Sequence, residues 1–373
     1  MHLAIAMLLH NRTRAIAAVV GVAVAFFLGA AQFGLLVGWV RTCTAIIRHS
    51  GVDAWVMAEH TVAFDYGTPI PEFRVQQVRT LPEVEWAEAM LVSWTFWKLP
   101  NGKQQNVELI GLDEGLVGGP WKMQEGDLET ALEPQQVIVD SLYQERLGIA
   151  QVGDEVEVLG RRAVVGARSL GVRTLTVAPF VFTSLENARR YDPWHQEDEI
   201  TFVLARGRKD VPAEMLRRVI KSQVPAVEVL TSTEFAERTA KYWMLETGLG
   251  VTVVLTAGLG LTVGMVIISQ TLYALTHENL SHYATLLATG FSRASLVGIV
   301  LIQATCLAAC GIAVGSALLA WSTRVTASTP IPIETTPLVY TGVLVACLLS
   351  CWGASLLSIR TIFRIDPVTV FHN

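Results

Sequence analysis

The chain has 373 residues, 51% of them hydrophobic and 16% charged, with a net charge of −5 and a mean hydropathy of +0.43. A charged share well under the roughly 25% of soluble domains points to a membrane protein. The acidic balance and the scattered Lys and Arg residues leave no basic stripe that would track nucleic acid.

The five cysteines, Cys43, Cys306, Cys310, Cys347 and Cys351, lie in or beside apolar runs. Disulfides are therefore not expected to hold the polar middle of the chain together.

From the N-terminus, Leu3, Ile5, Ala6, Leu8 and Leu9 form an apolar stripe suited to the inner membrane surface. Arg12 and Arg14 then precede an apolar run from Ala15 to about Val40. The run is nearly twice the roughly 7 to 15 residues of a signal-peptide core, so an uncleaved first span is expected. Arg41 to Ser50 can prolong it as a stalk, giving a first segment of residues 1–49.

Residues 50–230 carry the pattern of a soluble α+β domain. Strands are expected at Val52–Met57, Leu91–Leu99, Gln105–Leu112, Ile200–Ala205 and Val227–Leu230, with helices at Pro71–Leu81 and Pro212–Val224. Gly115 to Pro120 is a break, and Gly153–Leu159 with Arg162–Ala167 is a hairpin turning near Gly160. Pro179–Ala188 reads as a strand entering a helix at Thr183 or Ser184, with Glu186 placed to close a capping box on Thr183. Two strand-helix-strand passages thus enclose a β-rich insert.

A helix from Thr231 to Tyr242, N-capped by Ser232, is expected to run without a break into a second apolar segment, Trp243 to Leu272. That makes residues 231–272 a stalk and a second span. A half-polar loop follows at 273–293, then a third span at 294–321, a proline-rich outer turn at 322–337, a fourth span at 338–359 and a tail at 360–373. Arg41 and Arg48 balance Arg12 and Arg14 across the first span, whereas the N-terminal pair with Arg293, Arg360 and Arg364 outweighs the lone Arg324. The basic count therefore favours four spans with both ends in the cytoplasm. The fold class expected is an α-helical membrane protein of four transmembrane helices, with an extracytoplasmic α+β domain inserted between helices 1 and 2.

No G-x-x-x-x-G-K-[ST], H-E-x-x-H or G-x-S-x-G stretch occurs, so neither a phosphate cradle nor a hydrolase site is expected in the chain, and no catalytic residue, cofactor or metal ligand is assigned. Cys306/Cys310 and Cys347/Cys351 are i, i+4 pairs at mid-span. Soft thiolates would select zinc or cuprous copper, but packing as small apolar groups is favoured because thiolates in hydrocarbon are costly. Gln32, Gln270 and Gln303 should face other helices, and Gly250, Gly258, Gly260 and Gly264 should serve close helix packing. His277 and His282 are read as solvated loop histidines, with a pH-sensing role as the alternative. Trp39, Trp243, Trp321 and Trp352 sit near span ends, as an aromatic belt would.

In the 273–293 loop, Leu280, Tyr283, Leu286 and Leu287 fall on one helical side, with Glu278, His282 and Thr285 on another, and Gly290 stands as a C-terminal cap. Surface anchoring and helix-in-groove docking share this periodicity. Three stretches resemble the FtsX/MacB-type ABC transporter permeases, and most closely DevC-like exporter subunits: Leu272-Tyr273 through Gly290, Pro179-Phe180-Val181-Phe182-Thr183, and Arg364-Ile365-Asp366-Pro367 through Phe371. His282, Leu287 and Gln303 depart from the family pattern, which tends to carry charged residues there.

The resemblance implies that the 50–230 domain is a porter-like domain and that Glu278, Leu280, His282, Tyr283, Leu286, Leu287 and Gly290 belong to an ATPase-coupling loop. It implies a separate cytoplasmic ATP-binding subunit that holds the ATP, a second copy of this chain, a periplasmic adaptor and an outer-membrane channel, in a bacterial inner membrane. The cargo implied is a lipid-like or other hydrophobic compound. The alternative is an FtsX-like, non-transporting activator or sensor of a cell-envelope partner.

Overall fold

The structure is a computed structural model that describes residues 8, 12–176, 178–278, 280–327, 329 and 331–363. The tail motif expected from Arg364 onward, and Leu3, Ile5, Ala6 and Leu9 of the N-terminal stripe, lie outside the described residues. The chain divides into two compact units, one of residues 1–38, 250–327 and 332–373, the other of residues 39–249 and 328–331.

The first helix, α1 (Arg12–His49), runs through both the apolar segment and the expected stalk without interruption. The second unit then holds β1 (Ala54–Met57), β2 (Ile70–Pro71), α2 (Phe73–Arg79), β3 (Val84–Lys98), β4 (Gln104–Leu112), β5 (Met123–Glu125) and β6 (Gln136–Asp140). It continues with α3 (Gln144–Leu147), β7 (Glu155–Val158), β8 (Arg161–Ser169), β9 (Phe180–Ser184), α4 (Leu185–Tyr191), β10 (Glu199–Ile200) and β11 (Phe202–Gly207). It closes with α5 (Ala213–Gln223), β12 (Glu228–Thr231) and α6 (Ser232–Lys241).

The main sheet runs β12-β1-β11-β3-β4-β9-β6-β8-β5, and β7 pairs with both β3 and β8. The pairings β3-β4-β9-β6-β8-β7-β3 therefore close a ring, which leaves those strands without a bare edge. The ring is filled by Trp97, Val107, Leu109, Val139, Val165 and Tyr143, and the indole of Trp97 donates to the Leu147 carbonyl at 3.1 Å. The β7–β8 hairpin turns on Leu159 (φ 48°) and Gly160 (φ 73°). Both angles lie in the left-handed region that a two-residue type I′ turn requires.

Two further cores cover the open part of the sheet. On one face, α2 and α5 bury Val75, Val78, Leu216 and Ile220 against Ala54, Val56, Val203 and Ala205. On the other, Ile46 and Ile47 from the end of α1, and Phe235 and Ala236 from α6, pack with Trp55, Phe64 and Phe202. The Trp55 ring stands edge-on to Phe202 at 5.5 Å between centroids, and Phe64 stacks on Phe202 at 5.6 Å. Alternation along β1 sends Trp55 and Met57 to this face and Ala54 and Val56 to the other.

Two expected cap bonds differ: the helix after β9 starts at Ser184, one of the two expected positions, but without the Thr183–Glu186 capping box, and Ser232 is not the cap of α6. Ser184, not Thr183, caps α4: its hydroxyl accepts from Asn187 N–H, while Glu186 pairs with Arg190 one turn on. Thr183 instead donates to the Gln136 carbonyl at 2.6 Å. Thr231, not Ser232, caps α6 and forms a full capping box with Glu234. Ser232 is engaged elsewhere, accepting from the Trp55 indole at 3.0 Å and donating to the Val52 carbonyl.

The return to the apolar segment is also not one continuous helix. A π-helical turn at Tyr242–Glu246 and Gly248 at φ 77° separate α6 from the next helix, α7 (Leu249–Glu278). Proline is not needed to break a helix where a glycine adopts a left-handed angle.

The first unit is completed by α8 (Leu280–Ala288), α9 (Arg293–Thr326) and α10 (Pro337–Phe363). Among the described residues four helices, α1, α7, α9 and α10, are long and apolar enough to cross a membrane. Helix α9 runs to Thr326, so the expected outer turn is helical over its first residues.

Close approach explains two glycines. A Cβ on Gly264 of α7 would fall 2.4 Å from the Ala25 Cβ, and one on Gly311 of α9 would fall 2.4 Å from the Val22 Cβ. Small residues thus seat α1 against both neighbours. Gly258 meets no such contact, contrary to expectation. Gln303 is buried as expected, but Gln270 is exposed on the described surface.

Loss of the α6 cap gives a direct check of the revised helix start. Thr231→Ala is expected to cost about 1 kcal/mol and to speed amide exchange at residues 232–235, measured on the full chain in detergent.

Candidate functional site

The loop between α7 and α9 is a short helix folded back on its own chain. Helix α7 ends at Glu278, α8 occupies Leu280–Ala288, and Gly290 adopts φ 96°. Gly290 N–H donates to the Leu287 carbonyl at 3.1 Å and Phe291 N–H to the Leu286 carbonyl at 3.0 Å. This is the paired bonding of a Schellman ending, which places the left-handed glycine just past the helix. Two residues on, the Ser292 hydroxyl accepts from Ser295 N–H at 3.1 Å and starts α9. The turn is therefore fixed by backbone and cap bonds at both ends.

The two faces of α8 have different fates. Tyr283 is only 1% exposed and packs with Leu296 and Val300 of α9, with Leu286, Leu287 and Ile359 alongside. Its hydroxyl bonds Gln303, and burial pushes that hydroxyl up to about 12, so it stays protonated at any physiological pH. Ala284 is buried with it, and Leu280 is half-buried. Of the apolar stripe, Tyr283 is thus buried against α9, while Leu280, Leu286 and Leu287 are half-buried.

What remains on the surface is the polar side: His277, Glu278, His282, Thr285, Thr289 and Gly290, with Phe291 at 48% exposure. Glu278 pairs with Arg14 at the start of α1, both about half exposed. A pair so open contributes little to stability.

Of the coupling residues expected from sequence, the structure brings Tyr283, Leu286 and Leu287 together as the seam between α8 and α9. It leaves Glu278, His282 and Gly290 on the outer side. Thr285 and Phe291 join that outer group. Phe291 was missed because it follows the capping glycine, outside any helical period; an aromatic after the C-terminal glycine is the signal that marks such a position.

A second grouping resembles a catalytic triad. In the second unit, His195 Nδ1 lies 2.6 Å from Asp192 Oδ2, and His195 Nε2 lies 3.4 Å from Thr201 Oγ1. Thr201 is wholly buried, and its hydroxyl donates to the Val92 carbonyl at 3.0 Å while accepting from Val92 N–H at 2.8 Å. A nucleophile with no access and both hydrogen-bonding roles filled cannot attack a substrate. The cluster bridges the interruption between β10 and β11, where the hydroxyl replaces ladder bonds to β3. Among the described residues no group of His, Cys, Asp and Glu side chains has the arrangement of a metal site.

Residues 254–367 match the FtsX-like permease C-terminal family. Among solved structures, the chain is similar to the periplasmic region of MacB from Actinobacillus actinomycetemcomitans at 13% identity and a TM-score of 0.40, covering 51% of this chain and 94% of that one. It is also similar to the extracellular domain of the noncanonic ABC-type transporter YknZ from Gram-positive bacteria, at 11% identity and a TM-score of 0.34, covering 48% of this chain and 98% of that one. No match to a curated protein is found.

The division of α8 into an inner and an outer face makes a sharp contrast between neighbours. Tyr283→Ala, which empties a buried site, is expected to lower stability by about 3 kcal/mol, whereas His282→Ala on the outer face stays within about 0.5 kcal/mol. Thermal unfolding of the purified chain in detergent measures both.

Proposed function

Residues 254–367 make the chain a member of the FtsX-like permeases, and from that premise we propose that it is a permease subunit that relays movement from a separate cytoplasmic ATPase to its α+β domain. A permease of this class works with an ATP-binding subunit and as a pair of copies. The chain's own part in that work is mechanical.

The observation that carries this reading is the bonding of α8 to α9. Its buried seam of Tyr283, Leu296 and Val300, with the half-buried Leu286 and Leu287 packed against it, together with the Schellman ending, ties the loop to the third span. A load applied to the outer face of α8 then moves α9 and does not merely bend the loop. Interiors packed at crystal-like density transmit such displacement because they compress little.

The contact offered to the ATPase is therefore the outer set: Glu278, His282, Thr285, Gly290 and Phe291. The role of Tyr283, Leu286 and Leu287 is to transmit, and that of Leu280 is to seat the start of α8. His282 supplies a donor and acceptor, and Phe291 supplies the one large apolar group on that side, a combination common at protein interfaces.

In this reading both termini and the 273–293 loop face the cytoplasm. The DevC-like pattern supports export of a lipid-like or hydrophobic compound, with a periplasmic adaptor and an outer-membrane channel as further partners.

The test separates the two faces. Phe291→Ala and Thr285→Arg are expected to reduce co-purification of the ATP-binding subunit at least tenfold while leaving the unfolding temperature of the chain unchanged. Full retention of the ATPase by both variants, or nucleotide hydrolysis by the purified chain alone, would sink the proposal.

A further inference from the structure

A pair of carboxyl groups lies inside the second unit, where the chain leaves the sheet for α7. Glu108 stands on β4 in the same row as Ile110 and Leu112 and is wholly buried. Neither of its carboxyl oxygens meets a conventional donor; what it faces is the carboxyl of Asp65, itself 6% exposed in the short turn Phe64–Tyr66. Asp65 Oδ2 accepts the Trp243 indole N–H at 2.9 Å, and the Asp65 carbonyl accepts the Trp94 indole at 3.2 Å.

Every element packed around the pair can be named. Helix α1 contributes the Cys43 thiol, and the turn itself contributes the Tyr66 phenol. The π-helical segment contributes Trp243 and Tyr242, whose rings lie 6.0 and 5.6 Å from that of Tyr66. Strand β3 contributes only the Trp94 indole, α6 only the Thr239 hydroxyl that accepts from Phe64 N–H at 3.3 Å, and β9 the apolar Phe180 beside Glu108. Among the described residues no Lys or Arg pairs with either carboxyl.

Two carboxylates in contact, without a cation and without water access, cannot both be ionised. One proton must be shared between them. Burial first, and then the charge of Asp65, hold Glu108 well above the usual carboxylate range, so it is the protonated partner and donates to Asp65. Burial raises Asp65 as well, to about 6, against the lowering effect of the Trp243 bond and the Glu108 proton.

We propose that Asp65 and Glu108 form a proton-binding site that fastens the π-helical joint at Tyr242–Glu246 to the sheet while it holds one proton and loosens that joint when it takes up a second. With one proton, Asp65 is an anion and the Trp243 bond is charge-assisted, roughly twice as strong as a neutral one. With two, the pair is neutral and Trp243 keeps only the weaker bond. The joint it grips is the interrupted stretch between α6 and α7, so the outside proton concentration would set how firmly that stretch is held.

The sign of the linked stability follows from the raised value. The folded chain keeps a proton on Asp65 that the unfolded chain has lost between 3.8 and about 6. The stabilising contribution is full below the unfolded value and is lost as pH rises through about 6. Acid thus relieves the burial of a charge while it weakens the one bond to Trp243.

Infrared difference spectroscopy of the full chain in nanodiscs tests the site, because a protonated carboxyl has a carbonyl band that a carboxylate lacks. At neutral pH a protonated-carboxyl band is expected that disappears in Glu108→Gln. A second band should grow as pH falls through about 6, vanish in Asp65→Asn, and move to higher pH in Trp243→Phe, which removes a bond to the anion. Trp243 emission, taken as wild type minus Trp243→Phe, should change over the same interval. Absence of the neutral-pH band, a transition near the ordinary value of 3.8, or Trp243 emission that is flat through the carboxyl transition would each overturn the proposal. Glu108→Gln keeps a donor toward Asp65, so it decides the first point even if Asp65→Asn fails to fold.

Discussion

The architecture depends on how the sheet holds the chain at its two connections to the apolar helices, and the centre of that grip is Trp55. Its ring is fully buried among Phe64, Phe202 and Phe235, and its indole N–H is satisfied by Ser232, the first residue of α6. Ser232 in turn donates to Val52, on the segment joining α1 to β1. The outgoing and returning chain are thus pinned to one another and to one sheet face by a single short chain of polar contacts. Removing the Ser232 hydroxyl leaves the buried Trp55 N–H unpaired, which is why such small networks are costly to disturb.

From that common anchor the two connections depart differently. Helix α1 is continuous from Arg12 to His49. The returning connection passes through the π-helical Tyr242–Glu246 and the left-handed Gly248. A π turn places one more residue per turn than the α-helix does, and is a recognised site of local rearrangement. One connection is therefore an unbroken helix and the other an interrupted one. Trp243, Tyr242 and Tyr66 cluster at the interrupted one, so that its conformation is set by side-chain packing more than by helix propensity.

Much of this was legible in the residues. Length and apolarity located the spans, because burying backbone in hydrocarbon leaves the helix as the only way to satisfy it within a segment. Alternation located β1, β4, β11 and β12 within a residue or two. What the residues could not reveal were choices settled by distant partners. Ser232 and Thr231 are equivalent as caps by type, and the decision falls to Thr231 because Trp55 and Val52 claim the Ser232 hydroxyl. Likewise Thr183 and Ser184 compete, and the Gln136 carbonyl claims Thr183. The π turn was hidden because no proline or adjacent glycine pair marks it. Glu108 did leave a signal that went unread, a lone acid in the apolar run Val107-Glu108-Leu109-Ile110.

The same limit governs α8. An apolar stripe at helical spacing states that a face will be buried and is silent on what will bury it. Within reach of α8 lies α9, already joined to it through Gly290 and Ser292, so the partner in its own chain needs no association entropy beyond closing a short turn. Tyr283 against Leu296 and Val300 is the outcome physical chemistry favours whenever the local partner has matching apolar area. A helix that turns its apolar side to α9 leaves its polar side exposed. The separation of His282 and Phe291 from Tyr283 and Leu287 is therefore the separation of an exposed surface from the side that packs on α9.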